Sequence, residues 1–249
     1  MQQIMKQIIN IIATLLIFTI IGCTKDGASL SSDAGNSSNG SLTKFITVGN
    51  YLYTVDSKKL NTYDISNPAT PIFKTVSDVG FNIETIFPYG DKLFIGSNQN
   101  MYIYSIANPE VPTRVSTVTY FVRGRDPIVV KDTVAYSTLR INDNGGTLSV
   151  FNIKNINTPV NVFTTGITNP YGLGIKDSAL YVCQGANGMS VFSIYKPHVP
   201  ILKKQITNTE IFYDVIVDNG MLFCFVKGGV YIYSLTNIFD PTFIAFVKN

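Results

Sequence analysis

From residue 43 to the end of the chain, short apolar runs alternate with polar turns, and the alternation has a fixed period. Pro71, Pro112, Pro159, Pro200 and Pro241 are separated by 41, 47, 41 and 41 residues. Eight positions before each proline stands an aromatic residue: Tyr63, Tyr104, Phe151, Phe192 or Tyr233. Six before stands Ile65, Ile106, Ile153, Ile194 or Leu235, and eleven before stands Leu60, Met101, Leu148, Met189 or Val230. Matching columns in five rows define an internal repeat the length of one supersecondary unit.

Every unit predicts the same four strands. Strand a is a brief apolar run such as Ile128-Val129-Val130 or Val215-Ile216-Val217. A turn of residues that tolerate positive φ follows: Gly49-Asn50, Gly90-Asp91, Lys131-Asp132, Lys176-Asp177 or Asp218-Asn219-Gly220. Strand b is of the Leu93-Phe94-Ile95 kind. Strand c, as in Met101-Tyr102-Ile103-Tyr104, is apolar at both parities, which predicts burial on both faces. Strand d begins at the repeat's proline, which has no N–H to donate and so suits the outer edge of a sheet.

Four-stranded sheets apolar on both faces must cover one another, and radial stacking does this. The expected fold class is therefore all-β: a five-bladed β-propeller of four-stranded antiparallel blades over residues 42–249. Each blade uses contiguous chain, so unit 5 is expected to pack directly on unit 1, with Phe45 and Tyr63 near Phe243 and Tyr233. Unit 3 alone is longer, by six residues in its b–c loop, Leu139 to Gly146.

The first strand-c block, Leu60-Asn61-Thr62-Tyr63-Asp64-Ile65-Ser66-Asn67-Pro68, resembles the LVIVD repeat. The resemblance runs through all five units, although Ser105, Asn152, Ser193 and Ser234 replace the aspartate of position 64. It implies a propeller in exported or surface bacterial proteins and carries no chemistry with it.

Residues 1–22 read as an address. Lys6 precedes an apolar run from Ile8 to Ile21, too short for a membrane-spanning helix and suited to a secretory signal. Ile20-Ile21-Gly22-Cys23 resembles the bacterial lipobox, which implies a diacylated Cys23 at the mature N-terminus. A cleavable signal, or an uncleaved inner-membrane anchor, with Cys23 there by coincidence is the alternative. Residues 24–41 are nearly all Ser, Gly, Asn, Asp and Ala, so 23–41 reads as a lipidated cysteine and a flexible linker. The expected location is the cell envelope, as an outer-membrane lipoprotein. Cys183 and Cys224 remain, each in an apolar run; two buried free thiols or a disulfide fit that placement.

Composition narrows the function classes. Charged residues are 14% of the chain and hydrophobic ones 45%, which excludes a disordered chain. Net charge is +3 with no basic block, so no nucleic acid is expected as a partner. The single histidine, His198, falls in a c–d turn, and no Gly-x-Ser-x-Gly elbow or His/Cys cluster exists. No metal or cofactor is expected. Asp143-Asn144-Gly145-Gly146 lacks the spaced acids of a calcium loop and reads as a turn. Asp132-Thr133-Val134 and Asp177-Ser178-Ala179 resemble bacterial O-glycosylation acceptors, or are ordinary hairpin turns.

On a propeller the d–a connections and b–c loops share one face around the axis. Here they carry Glu84, Arg123, Arg125, Asp126, Tyr171, Tyr213 and Asp214, a candidate binding face for protein or glycan. Mutual ion pairing would account for the same residues. Two functions follow from different classes: a non-catalytic binding or scaffold propeller anchored by lipid, or a propeller enzyme of glycan hydrolase, lyase or lactonase type. The enzyme would work through carboxylates such as Glu84, Asp126 and Asp214.

Overall fold

The computed structural model describes residues 40–120, 127–142, 145–207 and 209–249, in which all regular structure is β. Blade 1 comprises β1 (Phe45–Val48), β2 (Tyr51–Val55), β3 (Lys59–Asp64) and β4 (Ile72–Asp78). Blade 2 comprises β5 (Ile83–Tyr89), β6 (Lys92–Ser97), β7 (Asn100–Ser105) and β8 (Thr113–Thr119). Blade 3 comprises β9 (Ile128–Lys131), β10 (Val134–Arg140), β11 (Gly146–Asn152) and β12 (Val160–Ile167). Blade 4 comprises β13 (Leu173–Lys176), β14 (Ala179–Cys183), β15 (Met189–Ser193) and β16 (Ile201–Ile206). Blade 5 comprises β17 (Phe212–Asp218), β18 (Met221–Val226), β19 (Gly229–Ser234) and β20 (Thr242–Lys248). Strands pair antiparallel in chain order within every sheet, and the chain is a five-bladed β-propeller.

The local chemistry explains this regularity. Each a–b hairpin turns through a residue of positive φ: Gly49, Gly90, Asp132, Asp177 and Asn219, at 46° to 57°. Each repeat proline stands immediately before strand d, at the sheet's outer edge. One feature was not legible: the c–d ladder slips once per blade, always beside the repeat's aromatic residue. The slips fall at Thr62/Tyr63, Ile103/Tyr104, Val150/Phe151, Val191/Phe192 and Ile232/Tyr233. A bulge there bends and twists the outer strand away from its ladder.

Blades join through apolar faces and tyrosine hydroxyls. One core cluster spans blades 1 and 2, a second blades 2 to 4, and a third blades 4 and 5. Tyr53, Tyr136 and Tyr181 each donate a hydrogen bond of 2.8–2.9 Å to a c–d turn carbonyl of the next blade, at Pro109, Pro197 and Ile238. Ladder register puts Phe94 and Phe223 at the same position in blades 2 and 5. Ser116 ties blade 2 to the Ile156 carbonyl of blade 3 at 2.7 Å instead.

Gly40–Thr43, ahead of β1, forms a strap that touches three other blades. The Ile86 N–H of blade 2 donates to the Thr43 carbonyl at 2.9 Å. Ser41 Oγ accepts from the Leu173 N–H of blade 4 at 2.7 Å and donates to Asp214 of blade 5 at 3.1 Å. The Leu42 N–H reaches the same carboxylate at 3.2 Å.

The expected seam between blades 5 and 1 is not formed. Inner strands neighbour one another from β1 to β5, β9, β13 and β17, and the series stops there. Phe45 is 63% exposed and Phe243 53%. The rings of Tyr63 and Tyr233 meet Phe73 and Phe243 of their own blades, not each other. The repeat count fixes how many sheets stack, but not the angle turned at each interface. At blade 5 the strap, not β1, bonds the inner strand, through Asp214 of β17.

Candidate functional site

Two elements of β geometry present the site. In β17 the ladder skips Tyr213, because Phe212 faces Val226 and Asp214 faces Phe225; the extra residue leaves the sheet. Glu84 sits on the matching bulge of β5, between Ile83 and Thr85. Tyr171 precedes β13 and is fixed through its backbone: its N–H bonds the Cys183 carbonyl at 2.8 Å and its carbonyl accepts from Thr138 Oγ1 at 2.7 Å.

These positions bring rings from blades 4 and 5, with an arginine from blade 3, into a strip. The Tyr171 and Tyr213 centroids lie 5.5 Å apart at 78°, and Tyr213 and Phe225 lie 5.8 Å apart. Arg140, the last residue of β10, places its guanidinium carbon 4.2 Å from the Tyr171 ring centroid and donates from Nη1 to the Tyr171 hydroxyl. Edge-to-face rings and a cation over a ring are each attractive by about 1 kcal/mol. The strip is partly open to solvent, and Phe225 is 51% exposed.

Asp214 has a different role from its neighbours. Its carboxylate accepts from Ser41 Oγ, the Leu42 N–H and the Val215 N–H. A Cβ on Gly40 would come within 2.5 Å of one carboxylate oxygen, and one on Gly172 within 1.9 Å of the other. Glycine at both positions lets the backbone close over the group. Burial pushes its pKa up to about 6, although the hydrogen bonds from Val215, Leu42 and Ser41 pull it down.

Of the sequence-derived face, the structure brings Tyr171 and Tyr213 together and turns Asp214 inward. Glu84 stands half-buried on blade 2. Arg123, Arg125 and Asp126 lie outside the described residues, as do Cys23, Asp143 and Asn144. Arg140 and Phe225 were missed. Arg140 had a signal, since the longer b–c loop of unit 3 begins beside it; Phe225 hid in an apolar run whose parity could not be assigned.

A groove of about 420 Å³ lies between β8 and blade 3, lined by Tyr120, Leu139, Phe151, Ser149 and Thr164 among others. Ser149, in its lining, occupies the strand-c position held by Tyr102 in blade 2 and Tyr231 in blade 5. Its lining carries no charge. Among the described residues no three His, Cys, Asp or Glu side chains are grouped to hold a metal ion. Cys183 and Cys224 are free and buried in the interface between blades 4 and 5, where burial raises both thiol pKa values.

The span of one blade decides the relationship to known proteins, because residues 44–79 match the LVIVD repeat family. Blade 1 resembles the LVIVD repeat. The limits of the match coincide with β1 to β4, so the matched segment is a complete four-stranded sheet. No curated protein sequence matches the chain significantly. Among solved structures, a functionally unknown protein from Desulfotomaculum acetoxidans superposes with a TM-score of 0.69 at 10% identity, covering 82% of this chain and 70% of that one. The computationally designed Ika8 protein gives 0.61 at 10% identity over 81% of this chain and 59% of its own. BamB from Moraxella catarrhalis gives 0.58 at 10% identity, over 78% and 57%. The likeness is one of fold, and the chain spans less than two thirds of Ika8 and of BamB.

Proposed function

We propose that this protein is a non-catalytic binding or scaffold propeller, held at the cell envelope through an acylated Cys23, that engages protein or glycan along the Arg140–Tyr171–Tyr213–Phe225 strip. The strip is the observation that carries this reading. Partly exposed aromatic rings pinned by an arginine are the composition of binding hot spots, because they offer contact area at low entropic cost. The uncharged groove beside Leu139 and Thr147 supports a neutral or sugar-like element in the ligand. The enzyme alternative draws no such support. Asp214, one of the carboxylates it would use, accepts hydrogen bonds from the strap and from Val215.

Affinity recovery from detergent-solubilised envelope tests the reading. Tyr213→Ala and Tyr171→Ala should each lower partner recovery by at least tenfold, the equivalent of about 1.4 kcal/mol. Cys23→Ser should move the protein out of the membrane fraction. Undiminished recovery with both tyrosine variants would remove the strip from the account, and unchanged fractionation would remove the anchor.

A further inference from the structure

One position of the repeat stands at four crevices between consecutive blades. Tyr102, Ser149, Ser190 and Tyr231 each fall ten residues before the repeat's proline. Each lies where its blade meets the end of strand d of the blade before it. Three of these crevices are closed by the chain's own side chains. In blade 2 the Tyr102 ring fills the place: a Cβ on Gly80 would lie 2.2 Å from its hydroxyl, and the Arg114 guanidinium carbon is 5.1 Å from its centroid. In blade 5 the Tyr231 ring does so, with the Phe246 and Phe212 centroids at 4.7 and 5.8 Å. In blade 4 the Gln184 and Gln205 side chains cover Ser190 and bond its hydroxyl, and Gln184 Nε2 reaches the Thr168 carbonyl at 3.1 Å.

Blade 3 carries none of these fillers. Ser149 Oγ lies 3.2 Å from Thr164 Oγ1. Register puts Thr164 opposite Ser149, where Gln205 stands opposite Ser190 and Phe246 opposite Tyr231. Leu139 takes the place of Gln184. The groove of about 420 Å³ lies at this crevice, and the Tyr120 and Phe151 rings, 5.8 Å apart between centroids, form part of its wall. Thr147 supplies a polar end. Its Oγ1 is buried and has no hydrogen-bond partner among the described residues. Thr147 stands twelve residues before the proline, the position of Asn100 in blade 2, and Asn100 Nδ2 donates to the Tyr102 hydroxyl at 3.1 Å.

We propose that this groove is a binding site for a small neutral phenol. No charged side chain lines it, so a charged guest would lose its water without compensation. A flat ring with one hydroxyl is what the fold itself lays in the same crevice of blades 2 and 5. The guest ring packs on Leu139, Tyr120 and Phe151, and its hydroxyl meets Thr147 Oγ1 as the Tyr102 hydroxyl meets Asn100. That contact gives the buried Thr147 hydroxyl the partner such groups require. The groove shares no residue with the Arg140–Tyr171–Tyr213–Phe225 strip and fills independently of any partner bound there.

Saturation-transfer NMR on the full chain, held in a detergent without a sugar headgroup, tests the site with p-cresol, toluene and methyl glucoside as probes. Binding of p-cresol should fall in the millimolar range expected of about eight non-hydrogen atoms. It should be at least threefold tighter than that of toluene and tenfold tighter than that of methyl glucoside. Thr147→Val, which keeps the shape and removes the hydroxyl, should abolish the preference over toluene. Ser149→Tyr supplies the ring of blades 2 and 5, and Thr164→Phe supplies the neighbour that Tyr231 has; each should weaken p-cresol at least tenfold. Thr164 is exposed, so its variant keeps the fold even if Ser149→Tyr disturbs it, and circular dichroism checks both. Tyr213→Ala should bind p-cresol as before. The proposal is overturned if p-cresol does not bind, if both groove-filling variants leave its binding untouched, if Tyr213→Ala removes it, or if methyl glucoside binds more tightly.

Discussion

Asp214 shows how one residue can be misjudged from sequence and still be informative. A carboxylate beside two tyrosines on a loop-rich face reads as a ligand contact, yet its oxygens close a contact 173 residues long with Ser41. Its folded pKa of about 6 exceeds the ordinary 3.8, so the folded state binds the proton more tightly than the unfolded state does. Stability from this group is therefore complete below about pH 4 and is lost as pH rises through 6, by up to about 3 kcal/mol. Thermal unfolding followed from pH 4 to 7 should show the decline, and Asp214→Asn should flatten it. Tyr181 offers a simpler test. Tyr181→Phe leaves the Ile238 carbonyl without its partner and should cost about 1 kcal/mol in denaturant midpoint analysis. The natural Phe223 of blade 5 has no such carbonyl to serve.

At the scale of the strand and the blade, most of the architecture was legible. Proline columns placed strand d at the edge, Gly49 and Asp132 placed the hairpins, and apolar residues at both parities placed strand c in the interior. These signals are local, because a missing N–H or a tolerated positive φ acts within its own turn. The c–d slip was illegible for the opposite reason: nothing in Ile103-Tyr104 announces that strand d gains a residue opposite it. The aromatic strip was half legible. Tyr171 and Tyr213 belong to connections whose common face follows from topology, whereas Arg140 and Phe225 belong to strands whose inward parity only packing decides. The element that tests the site best is the b–c loop of blade 3. Trimming it to the length of its counterparts should leave the melting temperature nearly unchanged, since long surface loops cost little. It should weaken partner recovery, because Arg140 would lose the loop that follows it.

For the whole molecule, burial grades from the middle blades to the ends. The strands β10, β11, β14 and β15 are shielded on both faces, whereas β4 and β20 are outer strands on blades with an open face. Amide hydrogen exchange should therefore be slowest in blades 3 and 4 and fastest in β4 and β20. A uniform exchange profile at low protein concentration would contradict that gradient. Ring closure itself was beyond the sequence, since the angle per interface is a sum over many side-chain volumes and no repeat column encodes it.

The strap also sets an order in time. Ser41 leaves a ribosome or an export channel long before Leu173 and Asp214, the two residues it must bond. Blades 1 and 2 can assemble from contiguous chain while the strap waits, and contacts of such long sequence separation form late and slowly. The Asp214 end of the strap is then a late latch: the Ser41 hydroxyl and the Leu42 N–H meet their carboxylate only once blade 5 has arrived. A chain cut short before residue 214 would carry four blades and a strap still held by Ile86 and Leu173, with the Ser41 hydroxyl and Leu42 N–H lacking that acceptor. The arrival of blade 5 is thus registered by a single carboxylate.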